Sequence, residues 1–247
     1  MSARWIHCLD YRCRSWSVEY AISLADECLL IWTGIGEHIA KAYVQAKASN
    51  IIITARTASS LENVKEQLEA LAAKDGRVVH VTCCPSDATR PETYAKLRRV
   101  IDDTYNGRLD CLICNAGGLS FKSGWTKDIS LLDLEEFNQG TALNYQSAVY
   151  AAKHLMPCLL HPQAVGRTIV NVTSGASNLT RAGLAPPQYS ISKLALNRIT
   201  QMLAENYEAE GLVAVALNPG GALTPGTEAQ LDVEFQKRKF GNVLLSK

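Results

Sequence analysis

The stretch GRTIVNVTSGASNLTRAGLAPPQYSISKLALNRITQMLAENYEAEGLVAVALNPG, residues 166–220, decides the fold. It opens on a β-branched apolar run (166–174) and crosses a loop. It then enters a long helical segment from about Pro187 to Glu210 and leaves through a second apolar run (211–220). Both runs are continuously apolar rather than alternating, the pattern of strands covered on both faces of a parallel sheet. Within the helical segment Tyr189 and Lys193 stand four residues apart, which places them one turn apart on one face. An ammonium held there can stabilise a tyrosinate, so the phenol becomes a usable acid and base near neutral pH.

The same alternation extends outward. NIIITAR (50–56) and RVVHVTC (77–83) read as strands. Between them Leu61, Val64, Leu68 and Leu71 recur at helical spacing. PETYAKLRRVIDDTY (91–105) is helical, RLDCLICNAG (108–117) is a strand, and residues 131–160 form one long helix or two. Cys28 to Trp32 serves as a first strand, cut short by Asp26-Glu27. There is no internal repeat and no long linker. Right-handed crossovers then give a single doubly wound, Rossmann-type α/β domain with a mainly parallel sheet. In such sheets ligands bind at the carboxyl ends of the strands. Ser174 stands at such an end, as does the run Cys114-Asn115-Ala116-Gly117, and Gly34-Ile35-Gly36 opens a helix.

The chain has 247 residues with a 47% apolar share, enough for one sizeable core, and a net charge of +1. No block of like charge suggests nucleic acid, and Lys237-Arg238-Lys239 reads as a solvated end. No apolar run reaches the roughly 18–20 residues that span a bilayer. No apolar core follows the N-terminal arginines, so no signal peptide is read there and a cytoplasmic protein is expected. Of the eight cysteines, Cys111 and Cys114 form a C-x-x-C inside a buried strand. With no second pair at suitable spacing, they read as packing and no metal is expected. Asn171-Val172-Thr173 and Asn178-Leu179-Thr180 match the glycosylation pattern, which means little without secretion.

With these pieces in order, the chain resembles the short-chain dehydrogenase/reductase family in its single-domain form, from about Gly34 to Thr224. The resemblance implies residue roles. Cys114-Asn115-Ala116-Gly117 is similar to the family's Asn-Asn-Ala-Gly, with Cys114 departing at the first place. That segment supports the central strand and lines the adenine ribose. Asn144 matches the helical asparagine that holds a proton-relay water, and Ser174 matches the catalytic serine, with Ser177 a nearby rival. Tyr189 and Lys193 match the catalytic pair, in which the lysine lowers the tyrosine pKa and holds the nicotinamide ribose. Pro219-Gly220 with Thr224 matches Pro-Gly-x-x-x-Thr along the nicotinamide, and Asp87 matches an aspartate that contacts adenine. Ala55 stands where NAD-preferring members carry an acidic residue, and Arg56 follows it. An arginine there can clamp a 2′-phosphate, so NADP(H) is favoured over NAD(H).

Both ends depart from the family. Its opening loop is Thr-Gly-x-x-x-Gly-x-Gly, whose glycines admit the pyrophosphate to the helix N-terminus. Here either Gly34 and Gly36 are the last two glycines, or Thr33-Gly34 is the opening pair with four residues missing. Residues 1–25 match nothing in the family, and 26–247 form the expected cofactor-binding and catalytic domain. About twenty residues follow Thr224, so the family's last helix and strand are expected to be missing. The expectation is that both ends come from altered splicing or a misread gene boundary, around an authentic middle. The expected activity is hydride transfer between NADP(H) and a carbonyl or secondary alcohol of a small molecule. An inert, truncated nucleotide-binding protein or partner subunit is the alternative. No nucleic-acid or membrane partner is expected, and a homo-oligomer stays open.

Overall fold

The computed structural model describes residues 27–31, 35–118, 128–178 and 185–220. Gly34, Thr224, residues 1–25 and the expected loss of the last helix and strand lie outside the described residues. The chain runs β1 (Glu27–Ile31), α1 (Ile35–Gln45), β2 (Asn50–Ala55), α2 (Ala58–Ala73), β3 (His80–Pro85), α3 (Pro91–Tyr105) and β4 (Cys111–Cys114). A short 3-10 turn (Ile129–Leu131) leads to α4 (Leu134–Thr141), a π-helical turn (Ala142–Gln146) and α5 (Ser147–Leu159). Then come β5 (Thr168–Val172), a 3-10 turn (Gly175–Asn178), α6 (Pro187–Asn206) and β6 (Val213–Leu217).

Among the described residues the strands form one six-stranded sheet in the order β3-β2-β1-β4-β5-β6. Every pairing is parallel, with Leu30 opposite both Ile53 and Ile113, and Ile113 opposite Val170. The strand order reverses between β1 and β4, which opens a crevice at the carboxyl ends of those strands. This is the doubly wound sheet that the alternation of runs predicts.

Two apolar clusters flank the sheet. One joins Ala40, Tyr43 and Val44 of α1 with Leu61, Val64 and Leu68 of α2 over Ile51 and Ile53. The other joins Tyr94, Leu97 and Ile101 of α3 with Ala151, Leu155 and Leu159 of α5 over Ile52, Leu112 and Ile169. Helix α3 matches the predicted 91–105 at both ends, for local reasons. Pro91 needs no intrahelical N–H partner at the first position. Asn106 turns left-handed at φ 52 and its N–H closes on the Ile101 carbonyl.

Two expectations shift, at the starts of the third and first strands, and the choice between one helix and two over 131–160 falls to two. The third strand begins at His80 rather than 77, and it extends through Pro85. Pairing with β2 sets its start, His80 opposite Asn50, and Val78 is left 76% exposed in the connection. The helical run 131–160 divides at the π-helical turn, where the Ser147 N–H reaches back five residues to the Ala142 carbonyl. Glu27, expected to cut the first strand short, is its first residue.

Candidate active site

The carboxyl ends of the strands collect the predicted residues. Arg56 follows β2 and is exposed. Asp87 lies two residues past β3, Asn115 to Gly118 follow β4, Ser174 follows β5 by two residues, and Pro219-Gly220 follow β6. Ile35 and Gly36 form the first turn of α1. The π-helical turn brings in Asn144, and α6 brings in Tyr189 and Lys193.

Lys193 is 3% exposed, and its Nζ donates to the Val172 carbonyl at 2.8 Å. An ammonium has three N–H groups, so two remain for other acceptors. Burial pulls its pKa down to about 8, against a smaller upward pull from the neighbouring Cys114 thiol. Burial in turn pushes Cys114 up to about 12, so this cysteine is an inert packing group beside the lysine.

Tyr189 is half-buried, with Lys193 Nζ 5.8 Å from its ring centroid. Burial raises its phenol pKa, and the nearby Ser174 hydroxyl, able to stabilise the phenolate by hydrogen bonding, pulls it back in part. Here the expectation that Lys193 lowers the tyrosine pKa is not met in the protein alone. Burial outweighs the hydrogen bond, and the group opposing it is Ser174. Ser174 Oγ also accepts from the Ala176 N–H at 3.2 Å, which leaves its own proton to donate. The rival Ser177 is engaged elsewhere: it donates to the Ser174 carbonyl at 2.8 Å and accepts from Asn197 Nδ2 at 2.9 Å.

Asn144 is 2% exposed and clasps one residue reciprocally. Its Oδ1 accepts from the Gly118 N–H at 2.9 Å, and its Nδ2 donates to the Gly118 carbonyl at 3.1 Å. Gly118 was missed by the sequence reading, although the doubled glycine of Asn-Ala-Gly-Gly marks a place where backbone is approached closely. Gly117 must stay small for a related reason. A Cβ there would lie 2.9 Å from Asn144 Oδ1 and 3.0 Å from Lys193 Nζ. Asn115 is buried, and Ala116 is half-buried.

Asp87 caps its own turn, accepting from the Thr89 N–H at 2.9 Å and its hydroxyl at 2.7 Å. Burial alone would raise its carboxyl. The Thr89 hydrogen bonds and the charges of Arg56 and Arg90 overcome that and hold it below the usual value. A separate groove of about 540 Å³ runs along β3, lined by Lys65, Glu69, His80 and Tyr105, towards the amino ends of β2 and β3 and away from this cluster. Among the described residues no group of three His, Cys, Asp or Glu could hold a metal, and no helix is long and apolar enough to cross a membrane.

The chain belongs to the short chain dehydrogenase family, whose sequence pattern matches residues 32–234. It is 53% identical over 193 residues to the short chain dehydrogenase pgmD of Aspergillus terreus, covering 78% of this chain and 62% of that protein. The chain thus spans less than two thirds of that relative's length. Among solved structures, a short chain dehydrogenase from Shigella flexneri complexed with NADP superposes with a TM-score of 0.70 at 24% identity, covering 86% of this chain and 84% of that one. A 3-oxoacyl-[acyl-carrier protein] reductase from Brucella melitensis in complex with NAD gives 0.70 at 26% identity, covering 82% and 76%.

The donor set fits a nicotinamide dinucleotide. A buried ammonium with two N–H groups to give stands beside a phenol–hydroxyl pair, across the β1/β4 crevice from an exposed arginine after β2.

Proposed function

We propose that this chain is an NADP(H)-dependent reductase acting on a carbonyl or secondary alcohol, with residues 26–247 as one cofactor-binding and catalytic domain. The observation that carries the reading is the convergence of Ser174, Tyr189, Lys193 and Asn144 at the carboxyl ends of β4 and β5. When bound, the nicotinamide supplies or takes the hydride. Tyr189 gives or takes the proton of the substrate oxygen, and Ser174 donates a hydrogen bond to that oxygen as charge develops on it. Lys193, steered by the Val172 carbonyl, presents its remaining N–H groups to the ribose hydroxyls and adds its charge beside the phenol. Asn144 holds the loop after β4 through Gly118 and keeps the π-helical turn next to Lys193, on the route by which protons reach solvent.

Ile35, Gly36, Asn115, Ala116, Gly117, Pro219 and Gly220 line the cofactor's path, with Gly34 and Thr224 assigned to it by the resemblance. Asp87 borders the adenine. The solved neighbours include both NADP and NAD complexes, so the preference for NADP(H) rests on this chain's own Arg56. It is exposed after β2, with Arg90 adding positive charge near Asp87. Titration with NADPH and NADH, read by nicotinamide fluorescence, tests the reading. NADPH is expected to bind more tightly. Arg56→Ala should weaken NADPH by about tenfold, the worth of a charge-assisted hydrogen bond, and leave NADH unchanged. A folded chain that binds neither would overturn the reading in favour of an inert, partner-type subunit.

A further inference from the structure

Asn197 lies one turn beyond Lys193 on α6, and neither Tyr189 nor Lys193 touches it through any hydrogen bond described above. Its Nδ2 donates to Ser177 Oγ at 2.9 Å, and Ser177 Oγ donates to the Ser174 carbonyl at 2.8 Å. The Ser177 N–H closes on that same carbonyl at 3.0 Å. The polarity of this chain is fixed. The single hydroxyl proton of Ser177 is committed to the Ser174 carbonyl, so its oxygen can only accept, and position 197 must supply a donor. The amide is accordingly turned with its nitrogen towards Ser177, although this leaves Asn197 Oδ1 buried with no partner among the described residues. An unsatisfied buried acceptor is costly, so the orientation marks which of the two contacts the local structure requires.

The bridge ties the turn Gly175–Asn178 to the helix that carries the reacting phenol. Ser174, whose hydroxyl stands near enough to Tyr189 to lower its pKa, is thereby tied to α6 two turns further along, through its carbonyl, Ser177 and Asn197. We propose that Asn197 and Ser177 are positioning residues that aim the Ser174 hydroxyl at Tyr189. Neither touches the reacting atoms. The proposal rests on the reading of Ser174 and Tyr189 as the working pair.

The test reads the Cζ resonance of Tyr189 in chain carrying isotope-labelled tyrosine, assigned by its disappearance in Tyr189→Phe. This resonance reports the hydrogen bonding of the phenol and needs no substrate. Ser174→Ala fixes the shift that accompanies loss of the serine's bond. Asn197→Ala and Ser177→Ala are expected to move the resonance in the same direction by at least half as much. The double variant should move it no further than the larger single one, since both break one chain of bonds. Ser177→Thr, which keeps the hydroxyl, should restore the wild-type position. A wild-type resonance in folded Asn197→Ala and Ser177→Ala would overturn the proposal, and Ser177→Ala decides alone if the other variant does not fold. NADPH titration of the same samples separates the two readings. Binding with an unmoved resonance removes only the bridge, whereas a moved resonance without binding removes the reductase reading and leaves the bridge standing.

Discussion

Helices α2 and α6 both cover the sheet, α2 against β2 and β3 and α6 against β5 and β6, yet they bury opposite chemistry. The buried stripe of α2 is Leu61, Val64, Leu68 and Ala72, each at most 1% exposed. That of α6 is Gln188, Ser192, Lys193, Leu196 and Thr200, a single apolar residue among four polar ones. Three of its polar groups are hydrogen-bonded: Ser192 donates to the Tyr189 carbonyl of its own helix, Lys193 donates to the Val172 carbonyl, and Thr200 accepts from Asn171, while Gln188 Oε1 is buried with no partner among the described residues. One helix contributes to stability through area removed from water. The other offsets desolvation with hydrogen bonds so that a phenol and an ammonium can stand at the crevice. On the proposed function, work and stability are thus divided between halves of one sheet.

Tyr189→Phe puts that division to its hardest test. It is expected to lower NADPH-dependent reduction across a panel of ketones and aldehydes by at least about a hundredfold, the scale of a lost general acid. NADPH affinity should be preserved; near-wild-type turnover would remove α6 from the chemistry. Leu68→Ala tests the other side. A buried leucine truncated in α2 should cost about 2–5 kcal/mol of stability by denaturant unfolding, with NADPH binding unchanged. A stable variant with impaired binding would show that the two helices share their roles.

A smaller effect lies in pH dependence. Burial lowers the folded pKa of Lys193 to about 8 from the ordinary lysine value of 10.5. Between those values the unfolded chain binds more protons than the folded one, so stability rises with pH across that window. The penalty for burying the charge is in full force below it. Relative to Lys193→Met, the wild type should therefore gain about 2 kcal/mol between about pH 7 and about pH 9.5. Parallel stability curves for the two proteins would mean that the ammonium is better solvated than its burial implies.

The same contrast explains what could be read in advance. The α2 stripe is visible as apolar spacing because burial and hydrophobicity coincide there. The α6 stripe has no such signature, and Tyr189 and Lys193 stand out only through their four-residue spacing and the match to the family's pair. The ends of α3 are local, set by Pro91 and Asn106. The start of β3 is not, because its register comes from β2, whose Asn50 pairs with His80 from outside the run RVVHVTC. The strand-end placement of Arg56, Asn115, Ser174 and Pro219 follows from topology. The phenol's electrostatics did not follow, because they depend on depth of burial. The partners Gly118, Cys114 and Asn197 belong to contacts across elements that spacing along one element cannot supply.

The π-helical turn also sets the angular phase of everything after it. Successive residues of a regular helix are displaced by about 100° around the axis, and the extra residue of the wide turn is absorbed in Ala142–Gln146. Glu136, Gly140 and Asn144, buried at intervals of four, therefore stay in line before Ala148, Ala151 and Leu155 continue into the core. Deleting one residue from the turn would leave a regular helix with α5 in its present phase, whereas the same deletion at Val149 would rotate the rest of α5 by roughly that angle. Exposed Lys153 would then swing towards the sheet and part of the alanine-rich face would swing out, so a change of a single residue in length is silent at one place and felt as a change of side a few residues later.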